Sequence, residues 1–236
     1  MRIAMTEELD VVFFDLGGTL IDMSVSRESV WAEALSRHGE DVEVEALTRA
    51  LRKVDRDLDE AFADIQGVDE GPFWKRYDAE VVRSLGLDID PEDVEADISA
   101  SFDRIIPDES LWKDYPDAKP TLDGLAGRDI EMGLISNATD LARRVLRRLD
   151  MEKYFDPIII SSETGHRKPE REIFDIALNE AGAAPSRALY IGDKFAVDVK
   201  GANRAGMNAV LIDRGGVFPD ASCVRIPDLS ALRTFV

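Results

Sequence analysis

One cysteine, Cys223, and two histidines, His38 and His166, are all that the 236 residues offer of those two types. A single thiol closes no internal disulfide, and so few soft ligands cannot assemble a zinc-binding Cys/His cluster. Basic residues are also scarce: 29 Lys plus Arg stand against 48 Asp plus Glu, for a net charge of −19. A field of that sign repels phosphate backbones and anionic headgroups, which argues against nucleic acid or a membrane surface as partner. Long apolar runs are missing. Val11 to Phe14 and Pro157 to Ile160 fall far short of the roughly 20 residues of a membrane span, and Met1 to Asp10 mixes charges with apolar residues where a secretory leader carries an apolar core. The expectation is a soluble, cytoplasmic chain. No fixed-period repeat or low-complexity segment is present, which excludes a solenoid or propeller.

What is present is 44% hydrophobic and 33% charged residues, enough to bury a core. Asp (29) outnumbers Glu (19), and Arg (21) outnumbers Lys (8). That bias suits a surface kept hydrated where salt screens self-repulsion, so a halophilic source is expected.

Periodicity divides the chain. Asp10 to Leu16 reads as a buried strand broken by Gly17-Gly18. The segment 23–113 is helical throughout: Ser26 caps a helix reaching about His38, and Leu47, Leu51, Val54, Leu58, Phe62 and Ile65 share one face of a second. A third covers Phe73 to Leu85 after Gly71-Pro72, and a fourth starts at the Asp90 cap with Pro91 in its first turn and runs to about Ile105. Strands then alternate with helices. Strands are expected at Glu131–Ser136, Pro157–Ser161, Ala188–Gly192 and Asn208–Ile212, with helices at Asp140–Leu149, Glu170–Ala181 and Val197–Ala205, the last closed by Gly206. The fold class is α/β, a Rossmann-like parallel sheet with helices on both faces, formed by 1–22 and 114–236 and interrupted by an α-helical domain over 23–113.

In an open α/β sheet, ligands gather at the carboxyl ends of the strands. Four groups fall there: Asp15, Ser136-Asn137, the stretch from Ser162 to Lys168, and Asp193. Each alone reads equally well as a helix cap or turn. Together, two carboxylates, a cation and a hydroxyl complement a metal-bound phosphate.

The residues around them resemble a known family. Phe14-Asp-Leu-Gly-Gly-Thr-Leu-Ile-Asp22, Leu134-Ile-Ser-Asn137, Arg167-Lys-Pro-Glu170 and Tyr190-Ile-Gly-Asp-Lys-Phe-Ala-Val-Asp198 are similar, in that order, to the four motifs of the haloacid dehalogenase superfamily. The match is to the phosphatase-like branch with a helical cap between the first and second motifs. The resemblance implies Asp15 as a nucleophile that forms an aspartyl-phosphate, with Thr19 helping to hold its loop. It implies Mg2+ on Asp15, the Gly17 carbonyl and Asp193, and Asp198 behind them as an acceptor for Lys168 or a bound water. Ser136, the backbone near Asn137, and Lys168 are expected on the phosphoryl oxygens of a small phosphorylated substrate. The insert is expected to act as a lid that carries substrate choice, with a dimerisation surface as the alternative; the chain is expected to be a monomer or homodimer.

One position departs from the family. The phosphatases usually carry a second Asp two residues after the nucleophile, which protonates the leaving alkoxide and activates water; here that residue is Gly17. Such groups contribute roughly a hundred- to ten-thousandfold, so good leaving groups are favoured. Asp22 is acidic and near but reads as the end of the loop. Two other reactions of the superfamily also do without the second Asp: metal-free dehalogenation through the first Asp, and phosphonate cleavage through a cap lysine. Asp193 argues against the former. Lys53 and Lys75 are candidates for the latter, but neither has apolar surroundings. A phosphate-binding protein without turnover is the remaining alternative. His38 reads as a solvated helix end, and His166 as a substrate contact.

Overall fold

The computed structural model describes residues 9–65, 70–128 and 130–234. Most of the amino-terminal stretch read for a leader, residues 1–8, lies outside them. The chain folds as two compact units: the described residues of Met1–Asp22 with Trp112–Val236, and Met23–Leu111.

In chain order the first unit begins with β1 (Val11–Phe14) and β2 (Ile21–Met23). The second holds α1 (Arg27–Arg37), α2 (Val44–Asp57), α3 (Asp59–Ala63), α4 (Gly71–Leu85) and α5 (Pro91–Ile105). The first unit resumes with β3 (Trp112–Asp114), α6 (Ala118–Ala126), β4 (Glu131–Ser136), α7 (Leu141–Arg148), β5 (Ile158–Ile160), α8 (Ser161–Thr164) and α9 (Arg171–Ala181). It ends with β6 (Ala188–Gly192), a π-helical turn at Phe195–Val199, α10 (Lys200–Arg204), β7 (Asn208–Ile212) and β8 (Val224–Ile226). The boundary falls at Leu111, two residues before the expected 113, because Trp112–Asp114 is spent as a strand beside β2.

The main sheet runs β5-β4-β1-β6-β7-β8, with every described pair parallel. All four residues of β1 are fully buried, as a central strand with cover on both faces requires. Val12 and Phe14 pack with Leu122, Val145 and Leu146 of α6 and α7; Val11 and Phe13 pack with Ile173, Phe174 and Ala202 of α9 and α10. Strand order reverses direction at β1, between β4 and β6, so the switch point of the sheet lies where β1 ends. Among the described residues, no helix is long and apolar enough to cross a membrane.

In the helical unit, Ser26 caps α1 by accepting from Ser29 N, and the Asp90 carboxylate accepts from Glu92 N at 3.0 Å. Leu47, Leu51 and Val54 pack with Val81, Val94 and Ile98. The second helix differs from the sequence reading. It breaks at Leu58 (φ −107°, ψ 5°), and Asp59 and Glu60 open α3, because carboxylates favour a helix start over an interior. Trp74, on α4, is 41% exposed. The helix expected over Val197–Ala205 divides into the π-helical turn and α10, and the edge strand β8, three residues long, carries too little periodicity to be read.

Asp78 sits on the buried face of α4. Burial first, and Glu95 second, raise its carboxyl from 3.8 to about 7. With the folded value above the unfolded one, the folded chain holds the proton more tightly, and stability falls as pH rises from 3.8 to about 7. Asp78→Asn is expected to raise the urea midpoint more at pH 8 than at pH 5; equal shifts at the two pH values would contradict this assignment.

Candidate active site

The loop after β1 begins with Asp15, whose N–H donates to the Ile191 carbonyl at 2.8 Å and so continues the sheet one residue past the strand. The Leu16 carbonyl then accepts from both Leu20 N (2.8 Å) and Ile21 N (3.0 Å), closing a tight loop over Gly17-Gly18. Gly18 has φ +75°, and a Cβ there would lie 2.4 Å from Asp193 Oδ2. Both backbone and space therefore require glycine. Gly17 is different. It has no positive φ, and a Cβ would meet nothing within 4 Å.

Lys168 is 3% exposed and donates to three acceptors: Asp15 Oδ1 at 2.6 Å, Asp198 Oδ1 at 2.8 Å and the Tyr190 hydroxyl at 2.8 Å. Burial penalises this ammonium, but Asp15 and Asp198 outweigh the penalty and hold its pKa above that of an ordinary lysine. Burial likewise pushes the Asp15 carboxyl upward, with Lys168 pulling the other way. Asp193 is also raised, by burial and then by Asp15 and Asp198, against Lys194.

Asn137 directly follows β4. Its side chain clamps the main chain of Lys168, donating from Nδ2 to the Lys168 carbonyl and accepting the Lys168 N–H on Oδ1, both at 2.8 Å. An amide that serves a donor and an acceptor of one residue fixes where that residue stands. Ser136 is buried at the end of β4, in register with Ile160. The Thr19 hydroxyl is buried without a hydrogen-bond partner, and it is the Thr19 carbonyl that is held, by Arg214 at 2.9 Å. The Arg214 guanidinium lies 3.8 Å over the Tyr115 ring and 3.0 Å from Asp117. Tyr115 bonds Asp22, so that acid is engaged at the far end of the loop. His166 pairs with Glu170 at 3.2 Å, and His38 with Asp97 at 3.1 Å.

Carboxylate oxygens of Asp15, Asp193 and Asp198 lie within 4.8 Å of one another. Asp198 is already spent: Oδ1 takes Lys168 and Tyr190, and Oδ2 takes Lys194 N at 2.9 Å. Asp15 and Asp193 are left as hard oxygen donors beside a glycine that makes room for them, in a cluster whose carboxylates outnumber its one buried ammonium. Such a set fits a magnesium ion. Asp15, Asp193 and the Gly17 carbonyl are the groups that would hold it, and when bound it supplies Lewis-acid polarisation of phosphoryl oxygens.

Residues 9–206 match the haloacid dehalogenase-like hydrolase family. This chain belongs to that family. A glyceraldehyde 3-phosphate phosphatase of Methanopyrus kandleri is 30% identical over 210 residues, covering 88% of this chain and 85% of the relative. A phosphoserine phosphatase of Thermus thermophilus is 33% identical over 146 residues, 61% of this chain and 56% of its own length. Among solved structures, a HAD hydrolase from Bacillus subtilis described as bound to magnesium superposes with a TM-score of 0.65 at 17% identity, over 97% of this chain and 98% of the other, and shares the fold. The chain is thus a hydrolase of a family whose curated relatives include phosphatases.

Two members of the site escaped the sequence reading. Tyr190 carried a signal, a phenol inside the apolar run of β6 whose hydroxyl needs a buried partner. Arg214 carried none, lying beyond all four motifs. The two loop glycines give a direct check: Gly18→Ala is expected to cost about 1–3 kcal/mol in urea denaturation, and Gly17→Ala less than about 0.5 kcal/mol. Equal costs would mean that Asp193 does not occupy the space beside Gly18.

Proposed function

We propose that this protein is a magnesium-dependent phosphatase of small phosphorylated metabolites, working through Asp15. The observation that carries this is the 2.6 Å contact between Lys168 and Asp15, with a carboxylate oxygen of Asp193 within 4.8 Å of one of Asp15. An ammonium bonded to this carboxylate opposes the upward push of burial and holds the group aimed, as a nucleophile must be. In this reading an Asp15 oxygen bonds phosphorus as the ester P–O bond breaks, and water then cleaves the acyl phosphate to release phosphate and restore Asp15. Ser136 and the backbone beside Asn137 bind phosphoryl oxygens, and Lys168 offsets the charge that builds up on them.

Gly17 shapes substrate choice. It supplies no proton to the leaving oxygen, so acyl, aryl and other esters with stable leaving groups are favoured over simple alkyl phosphates. Two other chemistries fit less well. Lys53 and Lys75 are more than half exposed and face Asp57 and Glu95, unlike the desolvated amine that a Schiff base needs. Dehalogenation has no use for Asp193 beside Asp15. A binding protein without turnover is favoured only by Gly17, and pure phosphate binding has no use for a buried carboxylate, Asp15, beside the ligand.

Para-nitrophenyl phosphate, whose leaving group needs no proton, is the test substrate, assayed in low salt and in molar potassium chloride because the acidic composition predicts activity in salt. Turnover is expected, and EDTA or Asp15→Asn should abolish it; turnover that survives Asp15→Asn contradicts the proposal. Gly17→Asp, for which the loop has room, is expected to raise alkyl phosphate turnover about tenfold or more. No gain would show that another group already supplies the proton.

A further inference from the structure

Tyr190 is the one polar side chain in Ala188–Gly192, a strand that is otherwise apolar and wholly buried. Packing alone would be met by phenylalanine: the ring stands edge-on to Phe174, with centroids 5.4 Å apart. A hydroxyl taken into that interior must be spent on partners. It accepts from Lys168 Nζ at 2.8 Å, and its own proton has two acceptors within reach, the Ile135 carbonyl at 3.2 Å and Asp198 Oδ1 at 3.1 Å. Burial, and then Asp198, raise its pKa well above the ordinary value, so it remains a hydroxyl.

The ammonium of Lys168 has three N–H bonds and meets three acceptors, one each from Asp15, Asp198 and Tyr190. With only the two carboxylates, one buried N–H would lack a partner and the ammonium could rotate between orientations. With the phenol added, the set is closed. We propose that Tyr190 is a positioning residue: its hydroxyl takes the third N–H of Lys168 and, bonded in turn beside Ser136 at Ile135, fixes the ammonium on Asp15 in one orientation. This rests on the phosphatase reading for its effect on turnover, but the arrangement of the ammonium does not.

The test joins kinetics to a readout independent of activity. In protein labelled with 15N-lysine, an ammonium with all three protons bonded in the interior is shielded from exchange and is expected to give an observable NH3+ resonance, assigned by its loss in Lys168→Arg. Tyr190→Phe keeps the ring and is expected to lose that resonance, to lower kcat for para-nitrophenyl phosphate about tenfold or more, and to leave KM within about twofold. Phe174→Leu, which disturbs only the packing, is expected to lower thermal stability and leave kcat unchanged. A merely structural Tyr190 would behave like Phe174. The proposal is overturned if Tyr190→Phe retains the resonance or keeps kcat within about twofold of wild type, or if the wild-type ammonium gives no protected resonance, an observation that needs no variant to fold. Should the wild type turn over no phosphate ester, the function proposed above fails, and the resonance alone decides the role of Tyr190.

Discussion

A lysine ammonium buried at the switch point of the sheet is the constraint around which the site is built. Lys168 can remain charged there only because Asp15 and Asp198, 153 and 30 residues away in sequence, are brought to it at 2.6 and 2.8 Å. Removing either carboxylate would leave an uncompensated charge in the interior, which is among the costliest changes a core can suffer. The parallel order of the sheet answers this demand. With β1 central, and β4 and β6 on either side, the loops carrying Asp15, Asn137 and Asp193 leave the same edge, and Asn137 pins the Lys168 main chain from the neighbouring strand end.

The same cluster is overcharged in the other direction. Three carboxylates face one fully buried ammonium, and Asp15 and Asp193 hold protons more tightly than ordinary carboxylates do. A divalent cation relieves that excess, which is why the donor set fits magnesium. Two glycines make the crowding sterically possible: a Cβ at Gly18 would strike Asp193, and one at Gly192 would lie 2.4 Å from the Asp198 carboxyl carbon. Gly17 lies under no such demand. Its missing side chain is a chemical difference and not a packing requirement.

Much of this was legible from sequence, for identifiable reasons. β4, β6 and β7 have the bounds expected because strands buried over most of their length read as apolar runs, and the caps at Ser26 and Asp90 act through local hydrogen bonds that neighbouring residues determine. The convergence of the four motif segments followed from one topological rule. What sequence withheld depends on contacts made at long range. The Asn137 side chain holds the main chain of Lys168, 31 residues on; Arg214 reaches back 195 residues to the Thr19 carbonyl. No local pattern encodes either. The π-helical turn after Asp193 arises because the Asp198 carboxylate folds back onto Lys194 N, a demand of the site that overrides helical periodicity.

The proposed function makes a nucleophile of Asp15 and leaves it no proton donor at position 17, so the covalent intermediate it would form is the most direct target. Acid quenching during steady-state turnover of para-nitrophenyl phosphate, followed by peptide mass spectrometry, is the decisive measurement. The account predicts a phosphoryl group on the peptide holding Asp15, localised to that residue and absent when magnesium is chelated. Steady turnover with Asp15 unlabelled and another residue phosphorylated would contradict it.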